Sequence, residues 1–124
     1  MNEPSNSQPS NMLKLDEERV GRSVVVRLYG SAGMEGAEFL KLRLREIALS
    51  APALVVLDMD RLDFLYSEAL EAILSCHVVV SRRGGGRVCL ANPKPRVREL
   101  FETTRLNLLF PIFSSVEQAL QAEA

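Results

Sequence analysis

The 124-residue chain contains 47% hydrophobic and 25% charged residues, the composition of an ordinary globular domain, and its length allows one domain rather than two. A formal net charge of -1 and a pI near 5.9 argue against the general electrostatic attraction that nucleic acid or an anionic membrane surface requires. No apolar run approaches the length of a membrane span. Composition therefore predicts neither nucleic-acid binding nor membrane insertion.

The first eleven residues, MNEPSNSQPSN, are rich in Asn, Ser and Pro. Such a segment buries too little apolar surface to fold, so we predict a disordered tail over residues 1–11 and a single domain over residues 12–124. The tail lacks the basic start and the apolar core of a signal peptide. We therefore expect a cytoplasmic protein.

The cysteines and the histidine give no sign of a metal site. Cys76 and Cys89 lie among apolar residues, without Cys-x-x-Cys spacing or a nearby His cluster. We expect both to pack as small hydrophobic side chains, as befits a reducing compartment. The single histidine, His77, has no second ligand or nucleophile in view and is predicted to be packed or to lie at a rim. No metal and no cofactor are predicted.

Hydrophobic periodicity predicts alternating strands and helices. The first element is a β-hairpin over Met12–Leu28, with its turn within Glu17–Gly21. The elements predicted after it are a helix from about Gly36 to Leu49, a strand from Val55, a helix from Ser67 to about Arg82, a strand over Arg87–Ala91, a helix from Pro95, a short strand at Ile112-Phe113 and a last helix. Because a helix between parallel strands crosses right-handed, the middle elements form a β-α-β unit.

Two short motifs mark helix ends. Gly84-Gly85-Gly86 lacks the Gly-Lys-Ser/Thr of a phosphate-binding loop and is typical of a helix C-cap and turn. Ser114 to Glu117 resembles a capping box, in which a serine hydroxyl and the glutamate carboxylate satisfy free backbone amides at the start of the last helix. Both motifs are predicted to be structural.

The most informative segment is Val55–Leu74, in which a strand gives way at Asp60 to a short turn and then to a helix opened by Ser67. Ser67 and Glu68 therefore lie at a helix N-terminus just beyond a strand end, where a turn is exposed and rigidly held. Ser67 is predicted to be the N-cap, and Glu68 to complement the positive end of the helix dipole. Such a turn is suited to binding or modification.

Residues Val56–Leu70 contain a strand, the pair Phe64-Leu65 and then Tyr-Ser-Glu-Ala-Leu, and this sequence pattern resembles that of a STAS domain. That fold is shared by bacterial anti-sigma factor antagonists and the cytoplasmic tails of sulfate transporters. Gly84-Gly85 and Pro95–Phe101 support the resemblance, which extends over Val24–Leu120. It implies an α/β fold, with a mixed sheet of four to five strands and about four helices packed largely on one side.

In the antagonists of this family, an anti-sigma factor that is also a kinase phosphorylates the second Ser of Asp-Ser-Ser-Gly. The unphosphorylated form binds that kinase and frees the sigma factor. The matching residues here are Tyr66, Ser67, Glu68 and Ala69, so Glu68 occupies the position of the acceptor. A carboxylate cannot accept phosphate stably by this route, but it places one negative charge where phosphoserine would place about -1.5 to -2. Ser67 is left as the candidate phospho-acceptor.

The resemblance implies a non-enzymatic regulatory module that binds a protein partner through the loop of residues 60–70 and the helix start. The implied partner is an anti-sigma factor with serine kinase activity or a related switch protein. The partner-binding residues predicted on this basis are Asp60, Asp63, Leu65, Tyr66, Ser67, Glu68 and Ala69. The oligomeric state is left open, a homodimer included.

Two other classes of function remain open from the sequence. STAS domains also serve as scaffolds in signalling assemblies or as subunits of lipid-transport ABC systems, in which a variant loop is tolerated. An enzyme would use Asp58, Asp60, Asp63 and Glu68 as acid and base groups, but carboxylates without a pocket, nucleophile or metal set do not define a reaction. A basic rim would favour an acidic protein partner, and it would consist of Arg82, Arg83, Arg87, Lys94, Arg96 and Arg98.

Overall fold

The computed structural model describes residues 13–122, which form five strands and four α-helices. In chain order these are β1 (Lys14–Val20), β2 (Ser23–Ala32), α1 (Met34–Leu49), β3 (Leu54–Leu65), α2 (Ser67–Gly84), β4 (Arg87–Ala91), α3 (Pro95–Thr103), a 3-10 turn (Leu106–Leu108), β5 (Ile112–Phe113) and α4 (Val116–Ala122). The predicted tail over residues 1–11 lies outside the described residues.

The strands form one mixed sheet in the order β1-β2-β3-β4-β5. β1 pairs with β2 antiparallel, and every other neighbouring pair is parallel. Parallel neighbours require crossover connections, which α1 and α2 supply between β2, β3 and β4. The predicted mixed sheet and its central β-α-β unit are confirmed.

The hairpin turns later along the chain than predicted. β1 continues through Val20, which pairs with Ser23, so the turn consists of Gly21 and Arg22. Gly21 has a φ of +62°, a conformation that a two-residue hairpin turn requires and that glycine adopts at little cost. Glu17–Arg19, which the sequence analysis placed in the turn, belong to an exposed edge strand, where charged side chains are compatible with strand structure.

The sheet is buried on both faces in its centre. Val55, Leu57 and Met59 of β3 pack into the larger core, which also takes buried residues from α1, α2 and α3. Leu54 and Val56 face the opposite side, where Ala119 of α4 covers them. Burial on both faces explains why the strand is a continuous apolar run. The prediction that the helices lie largely on one side is confirmed, and α4 is the exception.

The start of α4 is capped one residue later than the predicted capping box. The Gln118 N–H donates to the Ser115 hydroxyl oxygen at 3.1 Å, and the Ser114 N–H and hydroxyl donate to Oε1 of Gln118 at 3.2 and 2.6 Å. Gln118 thus takes the place predicted for Glu117, which is exposed. The motif was recognised, but adjacent serines allowed two registers and the wrong one was predicted.

Candidate partner-binding surface at the start of α2

β3 extends further than predicted and carries the candidate site beyond the centre of the sheet. The strand does not end at Asp60, because Arg61, Leu62, Phe64 and Leu65 continue to pair with residues 29–32 of β2, and Asp63 lies at a register shift in this pairing. The pairing with β4 stops at Asp58. β2 and β3 therefore continue as a two-stranded ribbon beyond the last residue of β3 that pairs with β4. α2 begins directly after this ribbon. Leu62 and Leu65 are fully buried and fix this ribbon against the larger core.

Three consecutive exposed residues, Tyr66, Ser67 and Glu68, join this ribbon to α2. The residues on either side, Leu65 and Ala69, are 0% exposed. The backbone is also held, since the Tyr66 N–H donates to the Ala32 carbonyl at 3.2 Å and the Ala69 N–H donates to the Tyr66 carbonyl at 2.9 Å. The exposed triplet is therefore a short surface feature with a fixed backbone.

Ser67 is not the N-cap that the sequence predicted. Tyr66 is the extended residue before the helix, without a side-chain cap hydrogen bond, and Ser67 is the first helical residue. Within residues 13–122, the hydroxyl of Ser67 and the carboxylate of Glu68 make no hydrogen bond or ion pair. The helix therefore begins one residue earlier than an N-cap at Ser67 would place it. Both polar side chains are consequently presented to solvent.

Glu68 lies in the first turn of α2, at the positive end of the helix dipole. An exposed carboxylate at this position is stabilised by about 0.3 to 1 kcal/mol. A phosphate group on the neighbouring Ser67 would experience the same favourable field. The helix end thus accommodates negative charge at either residue.

Asp60 and Asp63 have partners of their own. The Asp60 N–H donates to Oδ1 of Asp58 at 3.2 Å, and the Asp60 carboxylate lies 3.9 Å from Arg61. Asp63 accepts from Nζ of Lys94 at 2.9 Å. Of the seven residues predicted for partner binding, three form the exposed triplet, two are fully buried beside it, and the two aspartates lie on the preceding ribbon.

The start of α3 lies beside the exposed triplet, which the sequence analysis did not foresee. The Phe64 ring contacts Tyr66 edge-to-face, with ring centroids 5.1 Å apart. The guanidinium carbon of Arg96 lies 4.7 Å from the centre of the same Phe64 ring, a cation–π contact. Together with the Lys94–Asp63 pair, this contact connects α3 to the end of β3.

The structure does not assemble the predicted basic rim. Lys94 and Arg96 lie at the carboxyl end of β4, whereas Arg82 and Arg83 lie in the last turn of α2, at the opposite end of the sheet. Arg98 pairs with Glu102 along α3 at 3.2 Å. Only Lys94 and Arg96 therefore belong to the surroundings of the exposed triplet.

The four carboxylates considered for an enzyme do not share a pocket. Asp58 and Asp60 line an open cavity of about 330 Å³ with Arg27, Tyr29 and Arg61. Arg27 lies 3.7 Å from Asp58 and 2.9 Å from Glu18. The Tyr29 hydroxyl donates to Oδ2 of Asp16 at 3.0 Å, and this hydrogen bond raises the pKa of Tyr29.

Glu68, by contrast, lines a separate cavity of about 180 Å³ between α1 and α2. Asp63, already paired with Lys94, lines neither of these two cavities. The geometry gives no convergent acid–base set from these four residues, so the arrangement predicted for the enzyme alternative is not found.

His77 and the two cysteines are packed as predicted. The ring of His77 contacts Phe110 edge-to-face at 5.5 Å, and its Nδ1 atom is buried without a hydrogen-bond partner in the described part of the chain. Cys76 and Cys89 are both buried and form no disulfide with each other, and they lie in the cores on opposite faces of the sheet. Burial raises the pKa of Cys76 to about 12.

Cys76 is expected to resist alkylation in the folded protein. In a Cys89→Ala background, labelling by iodoacetamide at pH 8 should be about a thousandfold slower in buffer than in denaturant, because a thiol with a pKa near 12 is almost wholly protonated at that pH. The protection should persist until the pH approaches the raised value. Mass spectrometry of timed samples measures both rates, and equal rates would contradict the burial of this side chain.

No helix within residues 13–122 is both long enough and apolar enough to cross a bilayer.

Comparisons with known proteins agree with this fold. A family model described as the STAS domain matches residues 14–119. A Bordetella bronchiseptica protein named as an anti-sigma factor antagonist, BtrV, is 31% identical over 110 residues, which cover 89% of this chain and 94% of that protein.

Solved structures give the same result. An anti-sigma factor antagonist from Mycobacterium paratuberculosis superposes with a TM-score of 0.79 at 22% identity, covering 90% of this chain and 94% of that one. The unphosphorylated form of the anti-sigma factor antagonist SpoIIAA superposes with a TM-score of 0.77 at 24% identity, covering 88% of this chain and 95% of that one. Both confirm the predicted fold.

Proposed function

Because the chain belongs to the STAS domain family and is of the anti-sigma factor antagonist type, we propose that it regulates a protein partner by direct binding, without catalysis. The proposed partner is an anti-sigma factor with serine kinase activity or a related switch protein. The observation that carries this proposal is the exposed triplet, Tyr66–Glu68, held between two fully buried residues at the end of β3. The Ser67 hydroxyl and the Glu68 carboxylate make no hydrogen bond or ion pair within residues 13–122.

The physical form of the triplet supports a binding role. Tyr66 is 53% exposed although its ring is large and contacts Phe64. Aromatic side chains supply much contact area at low cost in conformational entropy. The backbone of the triplet is already fixed by hydrogen bonds at Tyr66 and Ala69, so little ordering is required when a partner binds. Asp60, Asp63 and Lys94 would surround this contact, and Leu65 and Ala69 would hold it in place.

In this proposal, Glu68 determines how far the partner-binding surface resembles the phosphorylated form. Its carboxylate occupies the acceptor position of the family motif, exposed and at the positive end of α2. It supplies one negative charge where phosphoserine would supply about -1.5 to -2 and a third oxygen. The wild-type chain therefore presents a partial imitation of the phosphorylated form. Ser67, exposed and unpaired within residues 13–122, is the remaining hydroxyl that a kinase could modify.

The test is affinity purification of the tagged chain from its native cells, with wild type beside Glu68→Ser and partners identified by mass spectrometry. We expect an anti-sigma-type kinase in both samples and more of it with Glu68→Ser, because this change removes the charge that imitates phosphate. On incubation of the recovered kinase with ATP, phosphate should appear at position 68 only in this variant. Glu71→Ser is the matched control, since it places a serine one turn later on the same exposed helix and should gain no phosphate there.

Other outcomes change the proposal in defined ways. Phosphate on Ser67 of the wild-type chain would move the switch to that residue. A transporter or scaffold component, recovered equally with both chains, would contradict the sigma-pathway role and support the scaffold or ABC-system alternative. Recovery of no specific protein would contradict a binding role altogether.

A further inference from the structure

A long groove runs between α1 and α2. Both helices connect successive parallel strands of the same sheet, so they lie parallel to each other. A cavity of about 180 Å³ near the start of the helices and one of about 240 Å³ further along share Lys41, Ala72 and Ser75 as lining residues. The two cavities are therefore parts of one groove, which begins at Glu68 in the exposed triplet.

The floor of the groove is formed by small side chains. Ala37, Ala72 and Cys76 are 3 to 4% exposed and leave space between the two helix backbones. Apolar side chains lie exposed towards the two ends of α1, with Met34 77% and Leu49 49% exposed. The small residues of the floor and the exposed apolar side chains at its two ends together offer apolar contact area to a partner.

The charges along the groove are separated by sign. Glu38, Glu68 and Glu71 line the part nearest the exposed triplet, and Arg45 lines the far part, with Lys41 between them. None of these five side chains makes an ion pair or a hydrogen bond within residues 13–122.

Arg43, on the same α1 helix but outside the groove, pairs with both Glu17 and Glu46. Charged side chains of α1 can thus find partners within the described residues, whereas those that line the groove do not.

We propose that this groove binds an amphipathic helix of the protein partner, with basic side chains of that helix beside Glu68 and Glu71 and acidic side chains beside Arg45. The inference rests on the proposed function, because it extends the binding surface of the exposed triplet along α1 and α2. The span from Met34 to Leu49 corresponds to ~22 Å of helix, so the bound segment has about four turns.

A helix fits this groove better than an extended strand does. A strand binds by adding its backbone to a sheet edge, whereas both walls here are helices whose backbone groups are already hydrogen-bonded. Two parallel helices with small residues between them offer a trough into which the ridge of a third helix can pack. An apolar stripe at i, i+3, i+4 and i+7 would then face Ala72 and Cys76.

The experiment uses the protein that wild type retains in the affinity purification, whichever class it belongs to, purified and titrated against variants of the chain. Lys41→Glu with Arg45→Glu reverses the basic end of the groove. Arg82→Glu with Arg83→Glu makes the same change in charge at the exposed last turn of α2, outside the groove. We expect at least a tenfold loss of affinity for the first pair and less than a twofold loss for the second.

Ser75→Leu provides a test that does not depend on charge. Ser75 is exposed and lines both parts of the groove, so a leucine there fills the trough and should also weaken binding at least tenfold. Circular dichroism melts of all variants show whether each one is folded. Hydrogen exchange of the wild-type complex should show new protection over residues 34–49 and 67–80.

Several results would overturn the inference while leaving the proposed function in place. One is wild-type affinity in both groove variants, and another is protection confined to the open cavity around Arg27 and Tyr29. Protection of the groove that grows with the concentration of the chain alone would assign it to a second copy instead. A transporter component that binds with the same dependence on the groove would uphold the inference and contradict the sigma-pathway role.

Discussion

Replacing Phe101 with alanine is expected to lower the free energy of unfolding by about 3 to 5 kcal/mol. The Phe101 side chain is 0% exposed and packs edge-to-face against Phe110, with ring centroids 6.2 Å apart. The substitution therefore leaves a cavity and removes an aromatic contact of about 0.5 to 1.5 kcal/mol. Because a domain of this size is stable by only about 5 to 15 kcal/mol, the loss is a large part of the total.

Urea denaturation followed by circular dichroism measures this loss. The control is Leu108→Ala, a substitution at a side chain that is 77% exposed in the 3-10 turn after α3, and it should change stability by no more than ~0.5 kcal/mol. Similar values for the two variants would show that α3 is not packed into the core as described. The result also bears on the site, since α3 begins beside Lys94 and Arg96.

Alanine at Gly86 is expected to destabilise the protein by about 1 to 3 kcal/mol through a steric conflict. A Cβ atom at this position would collide with the carbonyl oxygen of Pro52 and with Cγ1 of Val80. The Pro52 oxygen belongs to the backbone just before β3, so it cannot rotate away as a flexible side chain would. The cost arises from packing at the start of β4 and not from the backbone angles of the glycine.

Gly84 and Gly85 provide matched controls, because alanine at each position is expected to change stability for a different physical reason. Gly85 has a φ of +70°, so Gly85→Ala should cost about 1 to 2 kcal/mol through backbone strain alone. Gly84 is the last residue of α2 and has room for a Cβ atom 3.8 Å from that of Ala51, so Gly84→Ala should be neutral or stabilising by up to about 1 kcal/mol. Thermal melts compare all three variants, and equal shifts would refute this assignment of separate roles.

The elements of this fold could be predicted from sequence because each has a local signal. The apolar run of β3, the glycines at the end of α2 and the proline at the start of α3 all appear where predicted. The boundaries that were missed depend on a neighbouring strand. Asp60 and Asp63 are typical of a turn, but β2 continues beside them and keeps the chain extended.

In the candidate site too, the features set by local sequence could be predicted, whereas the contacts between distant residues could not. A turn between β3 and a helix near Ser67 follows from the residues of that segment alone. The contacts of Lys94 with Asp63 and of Arg96 with Phe64 join residues about thirty positions apart, and no local sequence pattern predicts these contacts. The groove charges were visible as residue types, but their unpaired state depends on how α1 and α2 pack.

The two edges of the sheet have consequences for how this protein behaves at high concentration. β5 consists of only two residues, which is too short to recruit a strand from another molecule. β1 is longer, but every residue except Leu15 is exposed and five are charged, namely Lys14, Asp16, Glu17, Glu18 and Arg19. Charged side chains along an edge strand disfavour pairing with a strand of another molecule. Both edges of the mixed sheet therefore disfavour edge-to-edge aggregation.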